Sequence, residues 1–290
     1  MKKTYSLFLG LIVLISCGSE PEKKELTYQN ILILSDMSSR IDNKPNKDKE
    51  EIDKILSYFV NECVKPGEKI GDKSSIYFTS FSDKMLAFVD IGSIKNIGEK
   101  QRFINSTGEY KTKGLNFKVK EFKQKVDLAY DRIRNPGIDL ISVLSDKIEN
   151  DGFVKENTFL TDGIDTTFVN YDNHIYIFTD GYLEYLNKNE NGQFYFGVDE
   201  IKQIRNYCQS KKVAVNSALE RNSSFSIPPV REEKNKTINL HAFETHERDK
   251  KEITQTYNFE KGLRDNEILE AVWRKWAKES GFKSFEWKKY

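Results

Sequence analysis

Asn30-Ile31-Leu32-Ile33-Leu34-Ser35-Asp36-Met37-Ser38-Ser39-Arg40 is the stretch from which the fold of this 290-residue chain can be read. An apolar run stops at an acidic residue, and small hydroxyl residues follow. A strand buried on both faces of a parallel sheet has this continuous apolar character, and a carboxylate at its end is delivered to the sheet edge. A second stretch, Ile175-Tyr176-Ile177-Phe178-Thr179-Asp180-Gly181, has the same shape. The expectation is that the two strands lie side by side, with Asp36 and Asp180 meeting at their carboxyl ends, where open α/β sheets bind ligands.

Working outward, the first strand is Ile31 to Ser35. Asp48 suits the cap of a helix running to Cys63, with Ile52, Ile55, Leu56, Phe59 and Val60 on one face. Ser75 to Phe81 and Met85 to Ile91, separated by Ser82-Asp83-Lys84, form a hairpin as second and third strands. A short helix falls somewhere between Gly98 and Thr112. Phe117 to Arg134 carries a helical stripe, and Asn135-Pro136-Gly137 breaks it. Asp139 then caps a helix through Ile141, Leu144 and Ile148. The fourth strand is Ile175 to Thr179, followed by a helix from Val198 to Ser210. The fifth strand is Ile238 to Phe243, and a helix from Asp265 to Ser280 has Asp265 as its cap and Gly281 just beyond its end. Phe282 to Trp287 adds a sixth, edge strand. Residues 151–172 and 211–236 read as insertions, and the second Thr-Asp-Gly, at 161–163, reads as a turn. Strands alternating with helices give a doubly wound, Rossmann-like, mostly parallel α/β sheet with helices on both faces. With right-handed crossovers its order is 3-2-1-4-5, extended by 6, with strand 3 antiparallel. That order places the helices bearing Cys63 and Cys208 on opposite faces, as two separate thiols.

Lys and Arg number 46 against 45 Asp and Glu, for a net charge of +1. That balance gives no basic face of the kind nucleic acid requires. At the N-terminus, Lys2 and Lys3 precede an apolar stretch from Tyr5 to Ile15 that is too short to span a bilayer. It runs into Leu14-Ile15-Ser16-Cys17-Gly18, which resembles a bacterial lipoprotein lipobox. The resemblance implies a signal peptide over 1–16, cleavage before Cys17, and a palmitate-type lipid anchor on its sulfur. Residues 17–27 then form a flexible polar tether, and 28–290 a single domain. The implied location is the bacterial cell membrane or outer membrane, periplasmic or surface-exposed.

The strand order, with Asp-x-Ser after the first strand and Thr-Asp-Gly after the fourth, resembles the von Willebrand factor A-type (vWA) domain from about Gln29 onward. That family holds a divalent cation, usually magnesium, at a metal-ion-dependent adhesion site (MIDAS), and an acidic group of a partner often completes the coordination. The resemblance puts Asp36 and Ser38 at the first two ligand positions and Asp180 at the last acidic one. Arg40 stands where the family has its second Ser. Ile138, in Gly137-Ile138-Asp139-Leu140, stands where it has Thr. Asp139 is the neighbouring oxygen that could make up the loss, although a plain cap is its commoner use. Ser39, Arg40, Gly137, Thr179 and Gly181 complete the switch-point loops.

Two readings of Arg40 stay open at this level. Turned inward, its guanidinium repels a cation and pairs with Asp36 or Asp180 itself. Turned to solvent, it leaves two carboxylates and a hydroxyl to hold magnesium weakly. Asp36 could equally do no more than accept backbone N–H groups at the start of its loop.

The functional expectation is a membrane-anchored binding module for a protein or envelope component. The alternative is a metal-assisted hydrolase or phosphatase using Asp36 and Asp180. Haloacid-dehalogenase-like phosphatases place a second Asp where this chain has Ser38, which counts against that alternative. A domain with purely structural loops is the third reading. There are three histidines, and His241 with His246 lacks helical spacing for a metal pair. No nucleophile elbow or phosphate-cradling loop is present. Trp273 and Trp276 read as core and rim of the last helix.

Overall fold

A computed structural model describes residues 24–38, 40, 45–67, 72–81, 85–134, 137–161, 166–185, 194–244, 247–251, 253–259 and 261–289. Ser82-Asp83-Lys84, Asp162 and Gly163 of the second Thr-Asp-Gly, Ser39, His246 and everything up to residue 23, including Cys17, lie outside them.

The apolar run lies in β1 (Lys24–Ser35), where Ile31, Leu32, Ile33 and Leu34 are all buried. Ile31 and Ile33 belong to one hydrophobic cluster and Leu32 and Leu34 to the other. Successive side chains of a strand point to opposite faces, so a run without polar alternation can serve only a strand covered on both sides. β1 pairs in parallel with β2 (Ser75–Ser80) on one side and β5 (Thr166–Thr179) on the other. β3 (Ala87–Asp90) pairs antiparallel with β2 at the edge. β6 (Ile238–Glu244) and β7 (Ser284–Lys289) continue the sheet in parallel beyond β5. The order β3-β2-β1-β5-β6-β7 is the expected one, with the sixth strand in place.

Helices α1 (Pro45–Tyr58), α2 (Ile97–Ile104) and α3 (Leu115–Arg132) cover one face. The helices α4 (Leu140–Glu149), α5 (Val198–Lys211), α6 (Val215–Arg221) and α7 (Asp265–Glu279) cover the other. Cys63 is packed in the first layer and Cys208 in the second, each a free buried thiol. Trp273 and Trp276 are both fully buried, so the second belongs to the core as much as the first. Among the described residues no helix is long and apolar enough to cross a membrane.

The structure departs from the sequence reading at four places. β1 begins at Lys24, so the last residues read as tether, Lys24 to Thr27, pair with Thr167 to Asn170. The end of the 151–172 segment is strand, because β4 (Thr158–Thr161) pairs antiparallel with a β5 that starts at Thr166. The 211–236 segment contains α6, and its Ala218, Leu219, Phe225 and Ile227 are core residues. Neither Asp48 nor Asp265 caps its helix: α1 opens at Pro45, whose missing N–H costs nothing in a first turn, and Arg264 occupies the cap of α7. Gly281, at φ +83°, does follow the end of α7.

Candidate functional site

The chain leaves β1 toward β2 and leaves β5 toward β6, so the strand order reverses between two adjacent parallel strands. Asp36 follows β1 and Asp180 follows β5. The Asp36 N–H donates to the Phe178 carbonyl at 2.9 Å, continuing the ladder into the site. Both carboxylates are buried. Burial pushes Asp36 up to about 6, against the lowering pull of Arg40 and with a further upward push from the charge of Asp180.

Asp36 closes its own loop. Its Oδ1 accepts the Ser38 N–H at 3.1 Å and its Oδ2 the Ser38 hydroxyl at 3.2 Å. Arg40 is turned inward and buried, with Nε 3.7 Å from Asp36 Oδ2. Its fork grips Asp48, Nη2 donating to Oδ2 at 2.8 Å and Nη1 to Oδ1 at 3.3 Å, and Nη2 also donates to the Phe178 carbonyl at 2.9 Å. The Tyr130 hydroxyl donates to Asp48 Oδ2 at 2.8 Å and lies 2.6 Å from the Ser35 hydroxyl. A buried charge is tolerated only when paired and hydrogen-bonded, and a guanidinium matches a carboxylate with two parallel bonds. Asp48 and Tyr130 were missed from sequence. Asp48 resembled a cap and Tyr130 a core position on the stripe of α3. The available signal was Arg40 itself, since a cation in a buried loop demands a carboxylate.

Asp180 has a second guanidinium. Its Oδ1 accepts the Tyr182 N–H at 3.2 Å and its Oδ2 accepts Arg248 Nε at 2.7 Å. Arg248 Nη1 reaches Glu184 at 2.5 Å, and the guanidinium carbon lies 3.9 Å from the centre of the Tyr182 ring. The Thr179 hydroxyl accepts the Gly181 N–H at 3.0 Å, and the Gly181 carbonyl accepts Trp273 Nε1 at 2.8 Å. One strand further along, Glu244 ends β6 and accepts Trp287 Nε1 at 3.0 Å. Burial pushes Glu244 up to about 8, opposed by the Trp287 bond and Lys289 and reinforced by Glu247 and Asp180. Three neighbouring strands thus end in carboxyl groups, of which sequence reading found two.

The middle loop comes close without supplying a ligand. Gly137 has φ +92°, and a Cβ there would meet the Glu184 carbonyl oxygen at 2.6 Å. Ile138 packs on the core. Asp139 takes the cap role at α4, accepting the Ser142 N–H at 3.1 Å and the Ser142 hydroxyl at 2.7 Å. Magnesium needs near-octahedral oxygen coordination. Here every Asp36 and Asp180 oxygen already faces a protein donor or a guanidinium, Ser38 donates inward to Asp36, and Ile138 offers no oxygen from its side chain. This donor set does not fit the cation the vWA resemblance implies. No group of three or more His, Cys, Asp and Glu among the described residues is arranged to hold a metal.

Two of the histidines sit elsewhere, His174 within β5 and His241 within β6. His174 Nδ1 and His241 Nε2 face one another at 3.0 Å. The outer nitrogens reach Asp172 at 3.1 Å and Glu286 at 2.9 Å. All four ring nitrogens are thus engaged in a cross-strand chain.

No protein-family model matches this chain, and no curated protein matches it significantly in sequence.

Proposed function

We propose that this chain is a vWA-like binding module, lipid-anchored through Cys17 at the bacterial envelope, that engages a protein or envelope component through the loops after β1 and β5 without a cation. The fold supports this reading: the parallel sheet carries one antiparallel edge strand, with Asp-x-Ser and Thr-Asp-Gly at the ends of its two central strands. The observation that carries it is the pair of guanidinium groups, Arg40 beside Asp36 and Arg248 on Asp180. They neutralise the switch-point acids from within and lock the loops, which lowers the entropy cost of binding. Arg248 and Glu184 remain partly exposed around Tyr182, and arginine and tyrosine are the residue types on which interfaces concentrate their energy. The hydrolase reading is less well supported, because Asp36 is committed to Ser38 and faces Arg40, and Ser38 cannot serve as the general acid.

The test is site-specific photo-crosslinking in cells that make the protein. A crosslinker at Ser38 or Tyr185 gives a discrete adduct that Arg248→Ala weakens, and one at Lys125 on the exposed face of α3 gives none. Equal adducts from all three positions, or phosphomonoester turnover abolished by Asp36→Asn, would overturn the proposal.

A further inference from the structure

The end of the sheet opposite the carboxyl-end loops carries two exposed large apolar side chains at successive positions of one short strand. There β1, β5 and β4 form a three-stranded ribbon, with Lys24 beside Thr167 and Thr167 beside Leu160. All four residues of β4 are exposed. Phe159 is 67% exposed and Leu160 57%. Adjacent strand residues point to opposite faces, so the ribbon presents a large apolar side chain from each of its two faces. One level further in, Tyr28 pairs with Tyr171, ring centroids 6.1 Å apart, with Lys73 over one ring and Lys155 over the other. An apolar tip backed by tyrosines and lysines is the layering found where proteins meet a bilayer surface. Lys24 and Glu25 lie side by side on the ribbon, so the contact is apolar and not a charge attraction.

The chain itself indicates what this end meets. It enters the described fold at Lys24, at this same end of the sheet. Cys17 lies seven residues earlier, a separation whose fully extended span is at most about 25 Å. A lipid on Cys17 therefore keeps this end of the sheet within reach of the bilayer. The 12-residue β1 then places Asp36 roughly 40 Å away, at about 3.3 Å per residue.

We propose that the ribbon end bearing Phe159 and Leu160 is a membrane-contact surface, seating both side chains in the outer part of a lipid bilayer and pointing the carboxyl-end loops away from it. The proposal rests on the reading of Cys17 as lipidated, and the experiment separates the two. The full chain, isolated from the membrane fraction, is reconstituted into phosphatidylcholine vesicles with an environment-sensitive fluorophore on Phe159→Cys or, for comparison, on Ile253→Cys. Ile253 is 99% exposed in the loop segment after β6. Intact mass and vesicle flotation report the lipid. The expected result is flotation of both, with a blue shift and quenching by spin-labelled lipid at 159 and neither at 253. A label on Thr158→Cys should lose its quenching when Phe159→Ser and Leu160→Ser are combined, with the melting temperature unchanged. A chain that floats with 159 unquenched, or with 159 and 253 quenched alike, overturns the contact surface and leaves the lipid intact. A chain of unlipidated mass that does not float overturns both.

Discussion

Arg40 shows how one buried cation organises a site. In the position where the vWA resemblance implies a hydroxyl ligand, the chain carries a cation that must itself be neutralised, and Asp48 and Tyr130 supply the means. Removing one partner of a buried pair strands the other charge. Arg40→Met should therefore cost about 3–5 kcal/mol in urea unfolding, and adding Asp48→Asn should restore much of that loss. Tyr130→Phe, which removes one donor to Asp48, should cost about 1–3 kcal/mol. Glu244 offers a second test at this scale, through pH. Its folded-state value of about 8 lies above its ordinary 4.5, so between those values the folded state binds more protons than the unfolded chain. The stability it contributes is fully present below about pH 4.5 and is lost as pH rises through 8. Glu244→Gln keeps an acceptor for Trp287. It should gain on the wild type as pH rises across that window, by on the order of a few kcal/mol by pH 9. Identical pH profiles for the two proteins would contradict this account of Glu244.

Among the elements, the strand ends show what could be read from sequence and what could not. Ile31 to Leu34 were legible because complete burial leaves no polar position in the run, and Ile175 to Phe178 because all of it except the partly buried Tyr176 is buried. Thr166 to Asn173 was not, since most of it is only partly buried and its Thr, Asn and Tyr residues carry no apolar pattern. The placement of Asp36 and Asp180 at the ends of adjacent strands followed from topology alone. Arg248 did not, because its approach to Asp180 depends on a loop that leaves β6, and nothing local in its sequence marks the target. Asp48 misled for a related reason, since a carboxylate near a helix start reads as a cap whatever it binds in space. The glycines after strands and helices also differ in ways sequence does not reveal. Gly181 and Gly281 both have positive φ, but a Cβ at Gly181 would lie 2.6 Å from the Trp287 ring whereas nothing stands within 4 Å at Gly281. Gly281→Ala should then cost only the left-handed backbone term, about 1–2 kcal/mol. Gly181→Ala should cost more by a further 1–3 kcal/mol, roughly the penalty of overpacking, as read by chemical denaturation of both variants.

At the scale of the whole molecule, one sheet separates two cores and two ends. The two cores explain the thiols: Cys63 and Cys208 lie in opposite layers and are buried. Neither should react with an aromatic disulfide reagent in the native protein, and the denatured chain should show no bond between them on a non-reducing gel. The two ends differ, with β1 beginning at one and the acids that follow or end β1, β5 and β6 gathered at the other. The central claim is that guanidinium groups, and not a divalent cation, neutralise the acids at that gathering point. Thermal unfolding with millimolar magnesium or manganese, and again with chelator, tests it most directly. A ligand bound only by the native state stabilises it by about 2.7 kcal/mol at one hundred times its dissociation constant, which is a shift of several degrees for a domain of this size. The account predicts no shift with either ion, no loss with chelator, and the same indifference in Asp36→Asn. A rise in melting temperature that grows with metal concentration and disappears in Asp36→Asn would contradict it.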